Sequence, residues 1–306
     1  MQAFWMGLTL LLFLMACTSE EEVTAPLRIA PSANLPSYFD CLDAEGKTLV
    51  SAHRGGRDKG YPENSLATFQ RTVREVTPLL EIDIRTSADG ILFLHHDDRL
   101  GRTTTGAGNA SETKWETLRT LSLKDKNGDV TAYGLTTLEE ALIWAEGQAI
   151  LQLDIKWGTD YDDVARIVKR VGAEGWVIPI AYTEGQVLAL NSRFPNSMLS
   201  VPMETIDNHD QLIEKGVEPH RLLAWTGNKV PNPQLYEQLD AQDVEVIFGT
   251  LGGRSSIDKE LAASGNDQKY ADLANMGVDI LATDRPYTAH KILQSNDLAV
   301  SPTLCH

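Results

Sequence analysis

Eight short apolar runs alternating with amphipathic segments predict an α/β chain folded as a TIM (β/α)8 barrel. Length and composition agree: 306 residues accommodate one such barrel, usually about 250 residues, and a hydrophobic fraction of 42% supplies its core. No internal repeat or low-complexity tract competes with that reading. The strands are expected at residues 48–53, 79–85, 150–156, 176–183, 198–203, 221–225, 244–251 and 278–283. Between them, helical patterns occupy residues 66–76, 137–146, 161–171, 185–194, 210–215 and 233–239, and 270–276 leads into the last strand.

One further run, residues 91–95, would make nine strands. It follows the second strand after only Thr86-Ser87-Ala88-Asp89-Gly90. A parallel crossover needs about a dozen residues, whereas Asp-Gly signals a hairpin. The run is therefore expected to turn back antiparallel, as a hairpin extension after strand 2, leaving eight strands in the barrel.

The amino-terminal end reads differently. Residues 4–16 are uncharged and strongly apolar, too short to span a bilayer of about 30 Å comfortably. Cys17, the polar Thr18-Ser19 and the acids Glu20 to Glu22 follow. This arrangement resembles a bacterial lipoprotein signal, cleaved before a cysteine that becomes acylated, although residues 1–16 lack Lys and Arg. The expected organisation is a signal peptide at 1–16, a lipid-anchored flexible tether at 17–40 and a barrel domain at 41–306. Such an anchor would hold the domain outside the cytoplasm, on the periplasmic side of a Gram-negative envelope. An exported compartment permits disulfides, and with Cys17 acylated the two remaining cysteines, Cys41 and Cys305, can form one intrachain pair. The net charge of −16 excludes a nucleic-acid partner, whose phosphates need a basic surface. Nothing in the sequence points to a protein partner.

Chemistry concentrates at the strand ends, where a barrel of this type builds its active site. His53 and Arg54 end the first strand. Glu81 and Asp83 stand two apart on the second and share a face, and Asp154 and Lys156 repeat that spacing on the third. Three carboxylates on adjacent strands can gather oxygen ligands around Mg²⁺ or Ca²⁺. Without a cation they would repel one another, unless Lys156 and Arg54 neutralise them as ion-pair partners in a polar core. The motifs run in order as His53-Arg54-Gly55, Pro62-Glu63-Asn64, Glu81-Ile82-Asp83, the segment from His96-Asp97 to Arg102-Thr103-Thr104, and Thr283-Asp284-Arg285-Pro286.

This series resembles the glycerophosphodiester phosphodiesterase family, over residues 48 to about 295. The resemblance implies His53 and His96 as an acid/base pair, and Glu81, Asp83 and Asp154 as holders of a divalent cation. It further implies that Arg54 and Lys156 contact the phosphate. Asp154 departs from the glutamate of the family. Ile247-Phe248-Gly249-Thr250 stands where relatives show a Trp-Thr-x-Asn strand end. His95, facing opposite to His96, is expected to be a packing or loop histidine. Glu63 either approaches the metal or holds Arg54 by a bidentate ion pair. Trp144 and Trp157 are expected to pack, and His209, His220 and His290 to lie on the surface. The implied activity is metal-dependent hydrolysis of a glycerophosphodiester to glycerol 3-phosphate and an alcohol. The alternatives are a phospholipase C- or D-like action on intact lipids and a lipid-anchored binding protein without turnover.

Overall fold

A computed structural model describes Met1 and residues 34–305 of the chain. Residues 2–16 of the expected signal peptide, Cys17 and all but the end of the expected tether lie outside the described residues. In chain order the elements are α1 (Leu35–Ala44), β1 (Leu49–Ala52), α2 (Leu66–Glu75), β2 (Pro78–Thr86), β3 (Leu92–Leu94), α3 (Trp115–Leu118), β4 (Ser122–Lys124), β5 (Val130–Gly134) and α4 (Leu138–Ala145). Then come β6 (Ile150–Ile155), α5 (Tyr161–Val171), β7 (Val177–Pro179), α6 (Glu184–Arg193), β8 (Leu199–Pro202), α7 (Ile206–Glu214), β9 (Leu222–Trp225) and α8 (Pro233–Asp240). The chain ends with β10 (Glu245–Gly249), α9 (Ile257–Ser264), α10 (Lys269–Ala274), β11 (Ile280–Thr283) and α11 (Pro286–Ser295).

Eight parallel strands run β7-β6-β2-β1-β11-β10-β9-β8. A parallel bridge between Ile180 and Ser200 brings the two edges together. These are the eight expected strands, and the fold is the α/β TIM barrel. β3 pairs antiparallel with β2, Ile84 opposite Leu94, so residues 91–95 do form the expected hairpin extension. A second hairpin, β4 with β5, lies outside the barrel.

Alternation within the strands divides the core in two. Leu80, Ile82, Leu151, Leu153, Val246 and Leu281 point outward and pack against the helices. Leu49, Leu79, Ile150, Ile178, Leu223 and Ile280 point into the barrel and form its lower layer. That layer is closed from below by α1, whose Leu35, Tyr38, Phe39 and Leu42 are buried in it.

The helix corrects the domain boundary: residues 35–40, expected as tether, already belong to the folded domain. Asn34 caps α1 by accepting a hydrogen bond from Ser37 N (2.9 Å), and a proline in the first turn suits a helix start. Cys41 on α1 is disulfide-bonded to Cys305, 264 residues later. No helix among the described residues is long and apolar enough to cross a membrane.

Candidate active site

The inward positions of each strand climb from apolar to polar in steps of two. On β1 they are Leu49, Ser51 and then His53; on β2, Leu79, Glu81 and Asp83; on β6, Ile150, Gln152 and Asp154. Register completes the gathering, since Glu81 is paired with Gln152 and Asp83 with Asp154. Each acid of the Glu81–Asp83–Asp154 triad offers one oxygen, all within 4.8 Å of one another.

After β1 the chain enters a tight turn. Arg54 (φ 53°) and Gly55 (φ 81°) both take the left-handed region. A Cβ at Gly55 would overlap the Phe69 ring, so only glycine fits there. The turn aims Arg54 N at Glu81 Oε2 (2.7 Å). Asn64, also left-handed (φ 58°), donates from Nδ2 to Asp83 Oδ2 (2.6 Å) and accepts from Asp83 N (3.0 Å).

Positive charge surrounds the triad. Lys156 Nζ lies 2.6 Å from both Asp83 Oδ1 and Asp154 Oδ2, and Tyr182 OH donates to Asp154 Oδ2 (2.7 Å). Burial opposes ionisation of Asp83, but Lys156 and Arg54 outweigh it and hold the carboxyl low. Burial pushes the Glu81 carboxyl up, and the charge of Asp83 adds to the shift. One acid of the three therefore remains poorly compensated by the protein. An all-oxygen donor set with an excess of negative charge fits a hard divalent cation. These carboxylates can hold one.

Both histidines are oriented by carboxylates. His53 Nδ1 is 2.8 Å from Asp284 Oδ1, and its Nε2, 3.9 Å from Glu81 Oε2, accepts from Arg54 Nε (3.3 Å). His96 Nδ1 is 2.7 Å from Asp97 Oδ1. A carboxylate at Nδ1 fixes the proton there, so that Nε2 is the nitrogen turned to a reacting group, open on His96 and met by Arg54 Nε on His53. Burial disfavours charge on His53, yet Asp284 and Glu81 raise its pKa above the ordinary value. His96 is lowered, by burial first, with Arg54 and Lys156 adding to it against the opposing charge of Asp83 and the hydrogen bond to Asp97.

Glu63 is not a triad member. It is buried beneath three guanidinium groups: Arg54 Nη1 (2.9 Å), Arg57 Nη1 (2.8 Å) and Arg102, which holds both oxygens at 3.1 and 2.7 Å. Burial would raise its carboxyl, but Arg102, Arg54 and Arg57 hold it at about 2. The bidentate partner of Glu63 is thus Arg102, and Arg54 takes a single oxygen.

The structure brings His53, His96, Arg54, Lys156, Glu81, Asp83 and Asp154 to one mouth of the barrel, with Glu63 behind them. Lys156 is committed to Asp83 and Asp154, so the expected ion-pairing of these acids exists alongside their capacity for a cation. His95 is buried, its ring stacked on Phe93. Trp144 packs against the core as expected. Trp157, expected to pack, is 96% exposed beside Lys156, because the chain leaves β6 there and turns outward. His209, expected on the surface, is buried on α7.

Asp284 stands in a motif the sequence shows, but its role as the partner of His53 was not assigned there. Its signal was available: closure pairs β1 with β11, Ala52 opposite Thr283, so the next residues, His53 and Asp284, must be neighbours. The Trp-Thr-x-Asn strand end that Ile247–Thr250 on the seventh strand lacks is present on the sixth, as Trp225-Thr226-Gly227-Asn228. Gly249, on the seventh, makes room for it, since a Cβ there would lie 2.5 Å from Trp225 Cη2.

The fold and this mouth of acids and carboxylate-held histidines define a barrel built to act on an anionic ester. Residues 53–175 match the model of the Glycerophosphoryl diester phosphodiesterase family. A glycerophosphoryl diester phosphodiesterase of known crystal structure, from Parabacteroides distasonis, is 32% identical, with a TM-score of 0.77 over 87% of this chain and 94% of its own. The chain belongs to the glycerophosphoryl diester phosphodiesterase family. A glycerophosphodiester phosphodiesterase of Caldanaerobacter subterraneus is 33% identical over 114 residues, 37% of this chain. That match spans about half of the relative's length (46%). An Oleispira antarctica phosphodiesterase, solved in complex with the product sn-glycerol-3-phosphate, shares the fold (20% identity, TM-score 0.63, 81% of this chain and 97% of its own).

Proposed function

We propose that the protein hydrolyses glycerophosphodiesters to glycerol 3-phosphate and an alcohol. The observation that carries this reading is the pair of histidines, each held at Nδ1 by its own carboxylate, at the mouth that also holds the acid triad. Family membership and the product-bound relative support the choice of substrate.

A cation held by Glu81, Asp83 and Asp154 would neutralise charge on the phosphate and act as a Lewis acid. Arg54 and Lys156 add positive charge beside it, where a phosphodiester would otherwise be repelled by the acids. One histidine takes the proton of the glycerol 2-hydroxyl through Nε2 as that oxygen bonds to phosphorus. The other gives a proton to the departing alcohol oxygen as its bond to phosphorus breaks. The cyclic phosphate so formed is opened by water with the two histidines exchanging roles. Asp284 and Asp97 keep each ring in the tautomer and orientation this exchange requires. Protein lacking residues 1–17, stripped with EDTA and resupplied with Mg²⁺ or Ca²⁺, should regain turnover of a glycerophosphodiester panel. Failure to hydrolyse any member would reject the reading.

Lipid attachment at Cys17, outside the cytoplasm, belongs to the same proposal and rests on the apolar run that precedes it. A Cys17→Ser variant should leave the membrane fraction; its retention there with the leader removed would reject acylation. A second reading, action on intact lipids, is favoured by Trp157 and Tyr182, 96% and 59% exposed at the site mouth. Turnover of vesicle phospholipid exceeding that of water-soluble diesters would establish it.

A further inference from the structure

We infer that Asp258, a buried acid on α9 outside the barrel mouth, is a positioning residue for the reaction: it sets Asp284, and through Asp284 the ring of His53. The role assumes the diesterase reading above. Asp258 is the second residue of α9 and only 2% exposed. A carboxylate taken that far from water is costly unless cations or hydrogen bonds compensate it. Here neutral donors do so. Tyr270 OH on α10 donates to Oδ1 (2.7 Å), and Thr283 Oγ1 on β11 lies 2.9 Å from each oxygen. Asp284 N donates to Oδ2 (2.6 Å).

The last of these bonds has the functional consequence. Beyond β11 the chain leaves the sheet, so the N–H of Asp284 needs a partner other than a strand. Asp258 supplies it and thereby fixes the peptide from which the Asp284 side chain departs. That side chain reaches His53 Nδ1 (2.8 Å) and Arg57 Nη2 (3.4 Å). A second tie keeps α9 in place. Asp258 N donates to Thr250 O (2.9 Å) and Thr250 N to Ala282 O (2.8 Å), which clamps the first turn of α9 to the ends of β10 and β11.

A chain of donors and acceptors thus runs from a buried helix to the reacting ring: Asp258 carboxylate, Asp284 N–H, Asp284 carboxylate, His53 Nδ1–H. The carboxylate at His96 is held differently. Asp97 takes its support from the half-exposed Arg102 side chain (2.6 and 2.9 Å), so Asp258 serves one histidine only. An amide cannot do the same work. Asp258→Asn keeps the shape of the side chain but turns an NH2 group toward donors, leaving either the Asp284 N–H or the Tyr270 hydroxyl without its acceptor. The peptide of Asp284 then shifts, and His53 loses the partner that fixes its tautomer and orientation.

The test is a double-mutant cycle on full-length, metal-replete protein with glycerophosphocholine as substrate: wild type, Asp258→Asn, Asp284→Ala and the double variant. Asp258→Asn should lower kcat about tenfold while KM moves less than about twofold, as expected when a catalytic group is displaced and binding is kept. In the Asp284→Ala background the same change should cost less than about twofold. A loss of equal size in both backgrounds, or none in either, would overturn the role, because a change that merely loosened the fold acts without Asp284. Should Asp258→Asn fail to fold, Tyr270→Phe takes its place in the cycle, with about threefold in kcat when Asp284 is present and no loss when it is absent. Wild type inactive on every diester would strike the diesterase reading alone. The placement is then read by NMR: the His53 Nδ1–H should give a slowly exchanging, carboxylate-bonded signal in wild type that weakens in Asp258→Asn or Tyr270→Phe. A signal unchanged in both variants would overturn the placement itself.

Discussion

The two mouths of the barrel are built from the same strands and opposite chemistry. At the lower mouth Leu49, Leu79, Ile150, Leu223 and Ile280 meet α1, and a Cys41–Cys305 disulfide ties both chain ends there. Four residues higher on the same faces stand His53, Asp83, Asp154 and Asp284. The acids at the two ends also differ. Upper carboxylates are met by Arg54, Arg57, Arg102 and Lys156, while lower ones, buried Glu245 and half-buried Asp279, have acidic neighbours. Burial, with Asp279 adding to it, pushes Glu245 up to about 8, and burial pushes Asp279 up to about 7. Cohesion is thus concentrated at one end and charge at the other. Changes at one end should leave the function of the other end nearly untouched.

The largest expected effect falls on the lower mouth. Joining residues 264 apart constrains the unfolded chain by about 5 kcal/mol in the chain-entropy model. A Cys41→Ser, Cys305→Ser double variant should lose stability on that order in denaturant titration, yet keep kcat/KM at temperatures where it is folded. Phe39→Ala removes a buried ring of α1 and should cost about 3–5 kcal/mol, again with activity retained. Activity that fell in proportion to stability would show that the two ends are coupled.

At the upper mouth the pattern reverses. His53→Ala and His96→Ala should each lower turnover by at least about 10²-fold with little change in unfolding midpoint. His95→Ala, next in sequence but turned into a buried contact with Phe93, should cost stability more than rate. A more damaging effect on rate from His95→Ala than from His96→Ala would contradict the assigned register.

The smallest effect concerns pH and Glu245. Its folded pKa is raised, so the unfolded chain loses its proton first as pH rises. Stability associated with this group is therefore full below about 4.5 and is lost as pH climbs through about 8. Glu245→Gln should be more stable than wild type at alkaline pH, with the difference shrinking toward pH 4. An equal difference at both pH values would show that the carboxyl is not held neutral in the folded state.

Much of this was legible in the sequence because it follows from local periodicity. All eight strands, and the hairpin at Asp89-Gly90, are set by alternation, loop length and turn residues. Pairing two apart on one strand placed Glu81 and Asp83 together, and register placed Asp154 beside them. What escaped depends on tertiary contact. Helix α1 has Pro36 in its first turn and carries its apolar face only for the barrel's lower layer, so its short segment read as tether. The β4–β5 hairpin has mostly exposed or half-buried residues and little apolar pattern, although Asn127-Gly128 marked its turn. Glu63 meets Arg102 from 39 residues away, across α2, β2 and β3, which no spacing rule anticipates. Trp157 and His209 exchanged their expected places, Trp157 because the chain leaves β6 there and His209 because it falls with Leu212 on the buried face of α7.

If the upper acids hold a catalytic cation, Asp154 is the residue that reveals it, because its carboxylate already has Lys156 and Tyr182 as partners. Turnover should be titrated with Mg²⁺ and with Ca²⁺ in wild type and Asp154→Asn, alongside the unfolding midpoint of each. Asp154→Asn should show lower activity, a titration displaced to higher metal concentration, and partial recovery at saturation. Asp154→Glu, which keeps the charge, should be displaced less. An unchanged metal titration in Asp154→Asn, accompanied only by a lower midpoint, would make Asp154 an ion-pair partner of Lys156 and contradict its place at the metal.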